Sequence, residues 1–304
     1  MSEIVINAQN LSKNFYNFDS RLPFIKRFLK RNQITIRAVQ DISFTIKRGS
    51  IVGFIGSNGA GKSTTIKMLT GTLYPSSGKL EVNGEIPFKR SINFRKKISI
   101  VVGNKLQLFQ DVSAMDYFQL IGTLYEVEPA ILQERIQELS NLLNVKDQLY
   151  QQVRTLSLGQ KMKMEFIAAS LTSPEILFLD EPTIGLDIQS KKDIRTFLKK
   201  MNEECHTTII LTSHDMDDIS SVCDELIVID KGKIILQESM DVILSKFSDF
   251  KYLKIKMTLD LVPELCSVKG VVVISQTKSE CILKIPRDFV FETLESIYKL
   301  VEKE

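Results

Sequence analysis

Apolar and polar positions along this chain fall into three textures. Residues 3–8 and 34–47 alternate, the period-2 signal of strands with one covered face, and predict antiparallel pairing. Residues 51–55, 98–102, 176–179 and 207–212 are short, mostly apolar runs with β-branched side chains, as strands buried on both faces of a parallel sheet require. Residues 114–125 and 129–143 repeat apolar side chains at helical spacing, and no strand signal interrupts 104–153. Helices are also predicted from about Lys62 and from Ser157 through Leu171. Residues 74–78 read as a turn, 79–82 as a strand and Asn83-Gly84 as a hairpin signal, and Lys231-Gly232 joins strands at 225–230 and 233–236.

These elements predict an α/β domain over residues 1–240, with a mixed sheet, an antiparallel β subdomain and a helical subdomain at about 104–171. From about Met240 the style changes. Strands at 251–257, 271–275 and 281–285 and a helix at 289–301 predict a small α+β accessory domain over 241–304, for interaction or regulation, with no catalytic constellation.

Composition narrows the class. With 43% apolar and 25% charged residues the chain reads as globular. A net charge of +3 is too small to argue for a nucleic-acid partner. Four scattered cysteines without a C-x-x-C suggest neither zinc nor a disulfide framework and fit a reducing cytoplasm. No signal peptide is visible, and the longest apolar runs fall far short of a membrane span, so any spanning segments are expected from another chain. Residues 20–33 are basic and interleaved with apolar side chains. They fit either a solvated loop with a few buried anchors, the commoner case, or an amphipathic helix near lipid headgroups or a membrane partner.

The chemistry concentrates after the strand at 51–55. Gly56-Ser57-Asn58-Gly59-Ala60-Gly61-Lys62-Ser63 fits G-x-x-x-x-G-K-[ST] in full. A chain of this size should carry that pattern by chance about once in a hundred. The glycines let several backbone N–H groups point into one hollow, and the following helix aims its positive end there. Lys62 can reach β- and γ-phosphates and the Ser63 hydroxyl can hold Mg²⁺, which makes this a nucleoside triphosphate site.

Four further stretches carry polar groups to element ends. Ser157 caps a helix that also contains Gly159. Taken alone it fits a plain N-cap better than a second phosphate site. Asp180 and Glu181 end the strand at 176–179, where open α/β sheets bind ligands. Asp180 can hold Mg²⁺ through water, and Glu181 can orient and deprotonate an attacking water, although a strand-end acid pair in a solvated turn looks the same. Residues 182–187 turn and end on Asp187. His214, one of two histidines, falls at the end of the strand at 207–212. Phe15 lies in an aromatic stretch at 11–18 that fits core better than a face for an adenine ring.

Five signals stand in one order: G-S-N-G-A-G-K-S at 56–63, L-S-L-G-Q at 156–160, I-L-F-L-D-E at 176–181, G-L-D at 185–187 and T-S-H-D at 212–215. This order resembles the nucleotide-binding subunits of ATP-binding cassette (ABC) transporters, over about residues 3–240. The wording is most similar to exporter subunits, including the viologen-type efflux group. The resemblance implies a P-loop ATPase that binds ATP and Mg²⁺ through Gly56–Thr64, with Lys62 and Ser63 on the phosphates and metal. It implies that Asp180 is the Mg²⁺-associated carboxylate, Glu181 the general base and His214 the γ-phosphate switch. It implies that Phe15 stacks on adenine, that Asp187 crosses a dimer interface, and that Ser157, Gly159 and Gln160 contact nucleotide held by a second subunit. The partners implied are a transmembrane permease and a second nucleotide-binding subunit, homo- or heterodimeric, at the cytoplasmic face of the membrane.

The sequence departs from the family in three places, one of them the stretch at 20–33, which is longer than the usual hairpin there. Leu158 stands where a glycine is usual in the signature. Near position 104 the family usually has a glutamine that contacts Mg²⁺ or water; here the aligned residue is Asn104, with Gln107 as the alternative. A soluble member of the superfamily acting on ribosomes or DNA is the alternative function, but it usually carries tandem cassettes or long coiled coils, which this chain lacks. A non-hydrolysing, nucleotide-regulated protein sits poorly with Asp180 and Glu181 together.

Overall fold

A computed structural model describes residues 3–18, 33–248, 250–256, 271–277, 280–286 and 293. The chain divides into two compact units, residues 1–238 and 239–304. The basic stretch at 20–32 lies outside the described residues, as does the helix expected at 289–301 apart from Thr293.

The first unit holds two sheets. In β1 (Ile4–Phe18), β2 (Gln33–Lys47), β3 (Ile51–Ile55) and β4 (Ser77–Val82) the chain builds a hairpin, the first buried strand and the outer strand of the smaller sheet. That sheet has the order β2-β1-β4 and is antiparallel throughout. β1 runs further than the alternation at 3–8 indicates, since register shifts between Ala8 and Leu11 and around Lys13 break the period-2 pattern.

The larger sheet adds β5 (Ile98–Val102), β6 (Ile176–Asp180), β7 (Thr208–Ser213), β8 (Glu225–Asp230) and β9 (Lys233–Ser239), in the order β5-β6-β7-β3-β8-β9. β5, β6, β7, β3 and β8 run parallel. Their apolar runs follow from burial on both faces: every residue of β7 is buried. Parallel pairing brings the ends of β3, β6 and β7 to one edge, which is where Gly56, Glu181 and His214 follow. The helix Lys62–Leu69 buries Ile66, Met68 and Leu69 in a core that includes Ile6 and Leu11 of the small sheet and Phe178 and Ile210 of the large one. Phe44 and Phe54 meet edge to face at 5.4 Å and join the two sheets.

Between β5 and β6 the chain is helical, as its spacing predicts. Helix Ala114–Leu124 starts in a capping box of Ser113 and Asp116, and Pro129 opens helix Pro129–Leu142. Helix Leu158–Ser170 completes this subdomain. Among the helices that go unread in the sequence pattern, Ile188–Cys205 and Met216–Val222 follow directly on Asp187 and Asp215 at the site edge.

In the second unit, helix Met240–Ser248 precedes β10 (Phe250–Lys256), β11 (Val272–Gln276) and β12 (Glu280–Pro286). These form an antiparallel sheet in the order β10-β12-β11, and alternate residues Cys281, Leu283 and Ile285 are buried on one face. Among the described residues no helix is long and apolar enough to cross a membrane.

Candidate functional site

β3 delivers the chain into the loop at 56–61. Gly61 has φ +113°, and a Cβ there would meet the Ala38 carbonyl oxygen at 2.7 Å, so no other residue fits this turn against β2. The loop, the first turn of the helix Lys62–Leu69, Asn104, Glu181, Ile184 and His214 line a cavity of about 620 Å³. Within it are Gly56, Ser57, Asn58, Gly59, Ala60, Gly61, Lys62, Ser63 and Thr64, as the sequence reading requires. The volume lies in the range of ligand sites, about 300–1,000 Å³.

The polar groups of the cavity form one network. The Lys62 ammonium, on a buried side chain, donates to the carbonyls of Gly56 at 2.7 Å and Ser57 at 3.3 Å. It lies 3.7 Å from Glu181 Oε1. The other oxygen, Glu181 Oε2, is 2.6 Å from His214 Nδ1; with the carboxylate as acceptor, Nδ1 carries the proton. Asp180 Oδ1 accepts from the Ser63 hydroxyl at 2.9 Å and from the Thr212 hydroxyl at 2.7 Å. Thr212, which the sequence reading does not single out, also receives the Glu181 N–H on its Oγ1 at 3.0 Å and on its carbonyl at 3.1 Å. Glu181 has φ +52°, in the left-handed region that is uncommon for a side-chain-bearing residue. These hydrogen bonds hold the backbone there, at a cost of about 1–3 kcal/mol.

The donor set fits a nucleotide with Mg²⁺. Ser63 and Asp180 already lie within hydrogen-bond distance of each other beside a phosphate-cradling loop. Among the described residues no group of three or more His, Cys, Asp or Glu could hold a metal alone. One hydroxyl and one carboxylate suit Mg²⁺, which takes most of its remaining ligands from water and phosphate.

Of the two candidates near 104, Asn104 lines this cavity. Gln107 faces elsewhere: its amide donates to the Ile100 carbonyl at 2.9 Å, and it lines a separate cavity of about 320 Å³. That second cavity also holds Glu165, whose buried carboxylate accepts from the backbone N–H of Gln107 and, at 2.8 Å, of Leu108. Burial pushes the Glu165 carboxyl above the ordinary glutamate value of 4.5, and the backbone donors offset this only in part. The folded chain therefore holds this proton more tightly than the unfolded chain. Stability from this group is present below pH 4.5 and is lost as pH rises from there through the raised value. Glu165→Gln is expected to remove that slope, read as the pH dependence of the urea midpoint; an unchanged slope contradicts it.

The signature residues stand apart from the cavity. Ser157 caps helix Leu158–Ser170 in a capping box: its Oγ accepts from Gln160 N at 3.2 Å, and Gln160 Oε1 accepts from Ser157 N at 2.9 Å. Gly159 is buried against the next turn, where a Cβ would sit 2.2 Å from Ser190 Oγ and 3.1 Å from Asp187 Oδ2. Asp187 caps helix Ile188–Cys205, accepting from Ser190 N at 2.8 Å and Ser190 Oγ at 2.7 Å, and these bonds hold its carboxyl below the usual aspartate value. None of Ser157, Gly159, Gln160 and Asp187 lines the Lys62 cavity. Phe15 also stands outside its lining, on β1 opposite Ile36, with its ring exposed and the Lys13 ammonium 5.3 Å from the ring centre.

A buried strand, a glycine loop cradling a lysine and a helix, with two acids at the end of β6 in the same parallel sheet, define a P-loop nucleotide-binding protein. A family model described as ABC transporter matches residues 39–184. The ABC transporter ATP-binding protein NatA of Bacillus subtilis is 32% identical over 216 residues, 71% of this chain and 87% of NatA. The linearmycin resistance ATP-binding protein LnrL of the same organism is 34% identical over 197 residues, 65% of this chain but only 63% of LnrL. Among solved structures, cbiO1 from Clostridium perfringens, described as part of the ABC transporter complex cbiONQ, matches with a TM-score of 0.66 at 26% identity, over 80% of this chain and 92% of that one. The ATP-binding cassette MJ0796 shares the fold, with a TM-score of 0.65 at 20% identity over 77% of this chain and 98% of that one. This chain belongs to the ATP-binding subunits of ABC transporters and is an ABC-type ATPase.

Proposed function

We propose that this chain energises an ABC exporter by closing head to tail with a second copy around ATP. One observation carries the reading. The chain has a phosphate cradle at Lys62 and a capped helix start at Ser157, and the second does not line the cavity of the first. Two copies supply what one lacks, each Ser157 helix closing on the γ-phosphate held by the other copy's Lys62. The surface beside Ser157 suits a covered face, because Leu158, Ile184 and Ile188 are exposed apolar side chains, Ile188 at 88%.

In the closed pair, Lys62 and the backbone N–H groups of 56–64 hold the phosphates, and Phe15 stacks on the adenine. Glu181 takes a proton from water as the water oxygen bonds the γ-phosphorus and the bridging P–O bond breaks, releasing ADP and phosphate. His214 touches the γ-phosphate and steadies Glu181, and Asp187 reaches across the interface. Ser63, Asp180 and Asn104 would hold Mg²⁺ directly or through water, and the ion would offset the phosphate charge. Loss of phosphate reopens the pair, and that stroke moves a transmembrane permease from the cytoplasmic face. The export direction is supported by the similarity to LnrL, whose name records resistance. The unit at 239–304 is an accessory domain.

Ser157→Arg tests the composite site. The variant is expected to bind ATP within about twofold of the parent and to stay monomeric in ATP by light scattering. The lost cap costs only about 1 kcal/mol. An ATP-induced dimer of this variant contradicts the reading.

A further inference from the structure

The helices Ile188–Cys205 and Met216–Val222, which no sequence signal tied to chemistry, meet in a charged cluster behind the site. Asp218 is its centre, with 1% exposure. Its Oδ1 accepts from Arg195, at 2.9 Å from Nε and also from Nη2. Its Oδ2 accepts from the Thr183 hydroxyl at 2.6 Å, and Thr183 is itself buried. Lys191 Nζ lies 3.8 Å from Asp218 Oδ2 and 2.7 Å from Asp215 Oδ2. Asp215 in turn caps helix Met216–Val222, accepting from Asp217 N at 3.0 Å.

The positions in the chain give this cluster its meaning. Thr183 comes two residues after Glu181, and Asp215 comes directly after His214. Lys191 and Arg195 lie on the helix that Asp187 caps, Lys191 one turn in. Two carboxylates and two cations therefore tie three things together: the turn leaving Glu181, the turn leaving His214, and the helix that starts at the exposed 184–188 turn. A buried carboxylate with hydrogen bonds on both oxygens, as Asp218 has, specifies one geometry, and deleting a partner leaves it uncompensated.

We propose that Asp218 is a positioning residue for hydrolysis, holding the Glu181–His214 pair to helix Ile188–Cys205 so that movement of the Asp187 turn reaches the reacting side chains. This rests on the roles proposed for Glu181 and His214. Asp218 does not line the Lys62 cavity, so its removal is expected to act through the pair and to leave nucleotide binding alone.

The test uses the full chain with Asp218→Asn, which keeps the shape and removes the charge, and Thr183→Val as a milder variant. Asp218→Asn is expected to lower kcat about tenfold with KM changed less than about twofold, and Thr183→Val to lower kcat about threefold. With two histidines in the chain, nitrogen-15 histidine labelling with a His206→Gln control isolates the His214 ring. Its Nδ1–H signal, protected by Glu181 in the parent, is expected to broaden in both variants. A parental kcat with an intact His214 signal in either soluble variant overturns this inference. So does an equal loss in kcat and nucleotide affinity, the mark of a structural role alone. Glu181→Gln separates the two proposals: if Glu181→Gln itself turns over normally, the reading of the base fails instead.

Discussion

Glu181→Gln is expected to abolish steady-state ATP hydrolysis, with kcat falling by about 10²–10⁴, while ATP still binds. The substitution is nearly isosteric. The amide oxygen can still accept from His214 Nδ1, which now lies 2.6 Å from Oε2, so the ring keeps a partner. What disappears is the basic carboxylate and its attraction for Lys62 at 3.7 Å. The backbone of Glu181 stays in its left-handed conformation because the Thr212 hydroxyl and carbonyl hold the N–H, and neither involves the side chain. Nucleotide bound without turnover should accumulate the closed pair, seen as a dimer in ATP and a monomer in ADP. Turnover at the parental rate removes Glu181 from the base role.

Lys62→Ala is expected to weaken ATP binding by about 10–100-fold, the worth of a charge-assisted hydrogen bond of about 1.5–3 kcal/mol. Lys62 is 5% exposed and its ammonium already lies over the loop, donating to two loop carbonyls, so little reorganisation is needed to reach a phosphate. Its loss also leaves Glu181 without the nearby cation, adding carboxylate repulsion toward a bound triphosphate. Calorimetric titration reads this directly. An ATP affinity within threefold of the parent contradicts the placement of the phosphates.

The loop at Lys62 was legible because its chemistry is local. Strand, glycines, lysine and helix follow one another within residues 51–69, and each has its own pattern. The buried parallel strands were legible for a similar reason, since burial on both faces leaves an apolar run that needs no partner to be recognised. Features that depend on long-range contact were not legible. Thr212 opens the T-S-H-D stretch but carries no role of its own in that pattern, and only the β6–β7 pairing places its hydroxyl between Asp180 and Glu181. Asn104 and Gln107 are three positions apart in one loop, and the turn alone decides which faces the cavity.

Helix Ile188–Cys205 carries Ile194, Phe197, Leu198 and Met201 at helical spacing, but this narrow buried stripe is set among many charges. The charges mask its periodicity, and their partners lie beyond the helix, Asp215 for Lys191 and Asp218 for Arg195. Phe15 illustrates the opposite limit. Local pattern favoured a core aromatic and the family motif favoured a base-stacking one, and the ring is exposed on β1 outside the cavity lining.

The proposal that two copies share each nucleotide has a direct test in a mixture. Lys62→Ala disables a cradle and Ser157→Arg disables a closing helix, so each variant alone should hydrolyse almost no ATP. In a head-to-tail pair of one of each, both defects fall in the same site and the other site is intact. A one-to-one mixture is therefore expected to regain a substantial fraction of parental turnover, rising with protein concentration. A mixture that stays at the sum of its two inactive parents would contradict the account.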